Sequence, residues 1–88
     1  MSFNEVTVRE RIRTALTPRL TEMGLTQADV GDGMSLTQSG VLDSFALMEL
    51  IGRLEQDLHV ELDFESVEPE QFTTVKGLAA AFVKALTA

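Results

Sequence analysis

The chain reads as an all-α protein, a four-helix bundle with three main helices, one short helix and a long loop between the first and second. Apolar residues recur at helical spacing in three separate stretches. No stretch of similar length alternates apolar and polar residues as a half-buried strand would. No cysteine is present, so helix packing rather than disulfides must hold the molecule together. Its 88 residues, 44% of them hydrophobic, are expected to form a single domain over 1–88. A chain of this size buries about 60–65% of its unfolded surface, which suffices for one core.

Ser2 and Glu5 have capping-box spacing, and Val8, Ile12, Leu16, Leu20 and Met23 follow at helical intervals, with Glu5 and Arg9 placed for an i,i+4 pair. Pro18 removes a backbone donor, but the apolar stripe continues past it. The first helix is therefore expected to pass Pro18 with a kink and reach Met23, where Gly24-Leu25 reads as a left-handed cap with its apolar partner.

From Gly24 to Asp43 the chain is polar and glycine-containing, with Leu25, Val30, Met34, Leu36 and Val41 as scattered anchors. A loop this long in a small domain tends to be functional. Gly31-Asp32-Gly33 is not followed by a lysine at phosphate-loop spacing, so ordinary turn chemistry is expected. Asp29 to Gly33 also lacks the alternating oxygen ligands and closing glutamate of a calcium loop, and no metal site is expected.

The second helix is read from Ser44 to Leu58, with Leu47, Leu50, Ile51, Leu54 and Leu58 as one buried stripe. At about 100° per residue, Phe45 falls some 160° from the stripe's centre and Met48 about 100°. Phe45 is thus expected to face solvent, with Met48 on the flank and Glu49, Gly52, Arg53 and Gln56 on the same outer surface. The stretch Asp63 to Gln71 is acidic and irregular, and Pro69 suits the first position of a short helix over Pro69–Phe72. Thr73 or Thr74 is placed to cap the last helix, whose stripe is Val75, Leu78, Ala79, Phe82 and Leu86.

The formal charge of −7 argues against nucleic acid and anionic membrane surfaces as partners. Residues 43–70 hold nine acids against Arg53 alone, net −8, whereas residues 1–20 are net +2. The acidic half is expected to attract basic partners. No apolar run approaches the ~20 residues that span a bilayer, and the first residues lack the basic and apolar regions of a signal peptide, so a cytoplasmic location is expected.

Asp43-Ser44 stands where the loop gives way to the second helix. A hydroxyl at a solvent-facing helix N-terminus meets free N–H groups and the positive end of the helix dipole, a favourable place for a phosphodiester. A Ser-His-Asp hydrolase is excluded by length: fifteen helical residues put His59 about 22 Å from Ser44, far beyond the ~3 Å a base requires. His59 suits the end of the second helix instead. Simple capping by Asp43 or Ser44 is the plainer reading, but neither has Glu or Gln three residues on, and capping by Asp43 is compatible with attachment at Ser44.

The run Ser39-Gly40-Val41-Leu42-Asp43-Ser44-Phe45-Ala46-Leu47, with about forty residues on either side and the C-terminal Phe72-Thr73-Thr74-Val75-Lys76-Gly77-Leu78-Ala79 run, resembles the acyl and peptidyl carrier protein family. The likeness covers most of the chain. It implies that Ser44 carries 4′-phosphopantetheine from coenzyme A, with Asp43 as the motif acid. A phosphopantetheinyl transferase would install the group, using a magnesium ion held mainly by the transferase. It further implies a monomer with no catalytic residue of its own, holding an acyl or aminoacyl thioester for loading and processing enzymes with basic docking surfaces. Phe45, Met48, Glu49 and Gly52 would form the partner face, with the preceding loop and Val67–Phe72 nearby. Phe45 stands where fatty-acid-synthesis carriers usually have leucine, and Val41-Leu42 where peptide-synthetase carriers tend to have a glycine pair. Leu42-Asp43-Ser44-Phe45 looks closer to freestanding carriers, including those for D-alanine and those of small polyketide or peptide pathways. The competing expectation is a helical adaptor that binds a basic protein through its acidic half and carries no prosthetic group.

Overall fold

The computed structural model describes residues 4–63 and 69–87. Their order is α1 (Glu5–Glu22), a 3₁₀ turn (Gln27–Asp29), α2 (Ser44–Leu58), a 3₁₀ helix (Pro69–Thr73) and α3 (Val75–Thr87), with no strand among the described residues. α1 packs mainly along α3, which also rests on the 3₁₀ helix, and meets α2 less extensively. No described helix is long and apolar enough to cross a membrane.

Asn4 starts α1: its backbone is extended and its Oδ1 accepts the Thr7 N–H at 2.9 Å. The expected cap, Ser2, lies outside the described residues. The helix begins two residues later than that cap would require, because Asn is an equally strong N-cap and reaches its third helical N–H. Val8, Ile12, Leu16 and Leu20 are all buried. α1 does run through Pro18. A proline inside a helix costs about 3 kcal/mol, and burying Leu20 beyond it returns about 1.5–3 kcal/mol, with the Leu25 anchor adding to that.

The stripe stops earlier than its spacing suggested. Met23 is the C-cap and is 40% exposed. Beyond it Gly24 has φ +73°, its N–H donates to the Thr21 carbonyl, and Leu25 N–H reaches back to Leu20 at 2.8 Å. These two bonds close a Schellman motif, with Leu25 packed against the core.

The loop that follows is pinned at several points. A 3₁₀ turn that periodicity could not reveal forms at Gln27–Asp29, where the Asp29 carboxylate accepts the Thr26 N–H at 2.8 Å. Val30, Leu36, Val41 and Leu42 sink into the core. Leu36 N–H donates to the Thr73 carbonyl at 2.7 Å and Lys76 N–H to the Asp32 carbonyl at 2.9 Å, tying the loop to the start of α3. Arg9 and Arg13 of α1 both bind the Asp32 carboxylate, and Arg13 also bonds Gln27. Arg9 therefore pairs with Asp32, not with Glu5 as its i,i+4 spacing suggested.

α2 matches its expected limits, and all five stripe residues are buried. It ends at His59, which takes the left-handed conformation at φ 55°. Thr74 caps α3, its Oγ1 accepting the Gly77 N–H at 2.9 Å, while Thr73 instead donates to the Glu70 carbonyl. Val75, Leu78, Ala79 and Phe82 are buried together with Ala81. Leu86 is only half-buried, because α3 is in its last turn there.

Two glycines within helices behave oppositely. A methyl group added at Gly77 would overlap the Gln71 carbonyl of the 3₁₀ helix, whereas one added at Gly52 would meet nothing within 4 Å. Gly52→Ala is expected to raise the melting temperature, worth about 0.5–1 kcal/mol from helix propensity, and Gly77→Ala to lower it despite the same propensity gain. Thermal denaturation of both variants checks this.

The Asp32 carboxyl is held below its ordinary value of 3.8, first by the hydrogen bond from Arg13, with Arg9 adding and partial burial opposing. A depressed carboxyl contributes stability that is complete above the unfolded value and disappears as pH falls through the folded one. Asp32→Asn should thus melt below the wild type at neutral pH, and the gap should close below pH 3.8. A gap of constant size throughout acid titration would contradict the ion-pair account.

Candidate functional site

The loop delivers its last residues to α2 along an over-determined path. Gly40 turns the chain at φ +83°, Val41 and Leu42 are consecutive buried residues, and Leu42 N–H donates to the Leu36 carbonyl at 2.9 Å. The Val41 carbonyl accepts Arg19 Nε at 2.8 Å. Asp43 then adopts an extended conformation, its Oδ1 accepting the Ala46 N–H at 2.7 Å and its carbonyl the Leu47 N–H at 2.9 Å. Asp43 is the N-cap, so capping at this point belongs to the aspartate.

That leaves Ser44 free. It is the first residue of α2 and is exposed, and its hydroxyl has no hydrogen-bond partner among the described residues. With Ala46 and Leu47 N–H groups taken by Asp43, the Ser44 and Phe45 N–H groups remain unpaired among the described residues. They point outward at the positive end of the helix dipole, where a negative group is stabilised.

Phe45 is 74% exposed and Met48 54%, as the helical wheel requires. Glu49 is exposed beside them and Gly52 half-buried a turn further on. These four residues share the outer surface of α2 with Ser44 at its head. The neighbouring segment contributes less than expected. Phe72 is buried at 7% exposure, because the 3₁₀ helix turns it into the core, so it offers no side chain to a partner. Val67 lies outside the described residues. The loop's Val41 and Leu42 face inward, and only its polar residues Gln38 and Ser39 and the backbone of Gly40 stay exposed nearby.

His59 sits fifteen residues from Ser44 at the opposite end of α2, with its N–H bonded to the Glu55 carbonyl. No polar or charged side chain is buried among the described residues, and no group of three His, Cys, Asp or Glu among them is placed to hold a metal ion. Two features escaped sequence reasoning. The Asp32 bridge had a faint signal, since Arg9 and Arg13 share one face of α1 while the loop carries only three acids, Asp29, Asp32 and Asp43. The Arg19 bond to Val41 had none, because it joins a side chain to a backbone carbonyl 22 residues away.

A helical scaffold with a free hydroxyl on its rim and an apolar interior is suited to displaying a group rather than enfolding a substrate. A family model described as phosphopantetheine attachment site matches residues 8–82, and the chain belongs to that family. Membership indicates a covalently attached 4′-phosphopantetheine prosthetic group, and implies interaction with the enzymes that modify and process a carrier. No curated protein and no solved structure gives a significant match. The free hydroxyl and the two outward N–H groups at the head of α2 fit a phosphodiester.

Asp43→Ala is expected to cost about 0.5–2 kcal/mol through loss of the cap, with Asp43→Asn keeping most of it. Phe45→Ala should change stability by no more than about 0.5 kcal/mol. Chemical denaturation of the three variants measures both, and a large loss for Phe45→Ala would mean that the ring supports the fold.

Proposed function

We propose that this chain is a carrier domain in which Ser44 bears the 4′-phosphopantetheine arm and Asp43 is the acid of the attachment motif. The observation that carries this reading is the exposed, unpartnered Ser44 hydroxyl at the first position of α2, inside a chain of the phosphopantetheine attachment family. In the attachment reaction Ser44 Oγ loses its proton and forms a P–O bond to the pantetheine-bearing phosphorus of coenzyme A, while adenosine 3′,5′-bisphosphate leaves. A phosphopantetheinyl transferase with its magnesium ion supplies the base and the charge stabilisation. Asp43, exposed next to Ser44 in the chain, would offer its carboxylate towards that charge while its Oδ1 keeps the helix capped.

The bound arm supplies a terminal thiol that holds an acyl or aminoacyl group as a thioester. The chain's own residues orient and present it. Phe45 and Met48 offer apolar contact in a polar rim, a pattern typical of transient interfaces, and Glu49 with the neighbouring acids favours enzymes with basic docking surfaces. Carriers of this kind are typically non-catalytic, and the reaction class is fatty-acid-like, polyketide or nonribosomal-peptide-type chemistry in the cytoplasm. The Leu42-Asp43-Ser44-Phe45 run looks closer to freestanding carriers and favours a specialised pathway.

The test is intact mass after incubation with coenzyme A, magnesium and a broad-specificity phosphopantetheinyl transferase, with Ser44→Ala in parallel. A gain of one phosphopantetheine in the wild type and none in the variant is expected. A folded wild type that stays unmodified with several transferases would favour the adaptor, which uses the acidic half without a prosthetic group.

A further inference from the structure

We propose that Arg19 is a positioning residue for arm attachment, holding the chain ahead of Ser44 in the path from which α2 can begin at that serine. The inference rests on the carrier reading above. Its basis is the backbone between Gly40 and Ser44. Val41 and Leu42 are 2% and 4% exposed, so both neighbouring side chains are sunk in the core and the peptide between them is carried down with them. A backbone group removed from water needs a partner. Leu42 N–H finds the Leu36 carbonyl, and the Val41 carbonyl finds Arg19 Nε at 2.8 Å.

Among the described side chains, Arg19 alone hydrogen-bonds the backbone between Gly40 and Asp43. Its guanidinium also lies 3.6 Å, through Nη1, from the exposed Glu22 carboxylate one turn on. A charged donor on a backbone carbonyl makes a stronger bond than a neutral one. The position of this bond matters more than its strength. The Val41 carbonyl is two residues ahead of Asp43, whose extended backbone and bond to Ala46 N–H set the start of α2. Releasing the carbonyl leaves the Val41-Leu42 peptide held through the Leu42 N–H alone, which widens the excursions of Asp43 about its capping geometry and loosens the turn that holds the Ser44 hydroxyl outward. Arg19 touches neither the hydroxyl nor a transferred group, so its effect passes entirely through the backbone.

The experiment pairs residue-resolved amide exchange with transferase kinetics for wild type, Arg19→Met and Arg19→Lys. Met keeps the apolar stem and removes every donor, while Lys keeps the charge and a donor. In Arg19→Met the Leu42 and Ala46 amides should exchange about tenfold faster, the factor for losing a bond of about 1.4 kcal/mol, while Ile12 and Phe82 stay as in the wild type. The same variant should load with kcat/KM lowered by a similar factor, and Arg19→Lys should fall between the two. Unchanged exchange at Leu42 and Ala46 would overturn the proposal, as would faster exchange spread evenly through α1 and α3, or local loosening with an unaltered loading rate. A wild type that is itself never loaded would sink the carrier reading, an outcome distinct from a loaded wild type matched by Arg19→Met.

Discussion

The side chains of α1 reach sideways to the loop at three levels: Arg9 and Arg13 to Asp32, Arg13 again to Gln27, and Arg19 to the Val41 carbonyl. This lateral hold does what a disulfide would do in a chain that had cysteines. A long irregular segment has many conformations to lose on folding, and burial of Val30, Leu36, Val41 and Leu42 alone would fix its depth but not its direction. The arginine contacts, together with the backbone bonds to Thr73 and Lys76, supply direction. The first turn of α2 inherits its geometry from that path, and so does the serine.

Charge acquires two uses in the same molecule. The arginines of α1 are engaged by the loop and by Asp57 of α2, so the basic excess of the N-terminal part is paired within the fold even where Arg11 and Arg19 remain exposed. Among the described acids of α2 and beyond, Glu49, Glu61 and Glu70 are exposed. Part of the acidic surplus is structural too: Asp57 meets Arg11, and Glu55 accepts the Leu62 N–H. What remains beside the exposed Phe45 and Met48 is a smaller, more local field centred on Glu49. Surface ion pairs are individually weak, so the stability of the bundle rests on the stripes and the loop contacts act chiefly to select one arrangement.

Helical periodicity made the main elements legible. The stripe Leu47, Leu50, Ile51, Leu54 and Leu58 placed α2 and, by subtraction, the outward direction of Phe45 and Met48. Asp43-Ser44 could be read as a helix start because both types favour that position, and the division of roles between them followed from geometry: one carboxylate reaches Ala46 and leaves the hydroxyl unused. The beginning of α1 was less legible, since Ser2 and Asn4 both cap well and spacing alone favoured the wrong one. The loop's tethers were hidden for a different reason. Local sequence encodes propensity and periodicity, whereas a bond from Arg19 to a carbonyl 22 residues away depends on where the chain returns after folding. The 3₁₀ turn at Gln27–Asp29 is too short to leave a periodic trace.

The contact of Gly77 with the Gln71 carbonyl brings the 3₁₀ helix and the first turn of α3 so close that neither can be exchanged without the other. Leu36 and Asp32 are fastened to the two sides of this junction through Thr73 and Lys76. For anyone building chimaeras between this chain and its relatives, the natural cassette is therefore not a single helix. Residues 69–79 and the stretch around Asp32–Leu36 form one mechanical joint, and a crossover placed inside it would break backbone complementarity even where every exchanged side chain was chemically conservative.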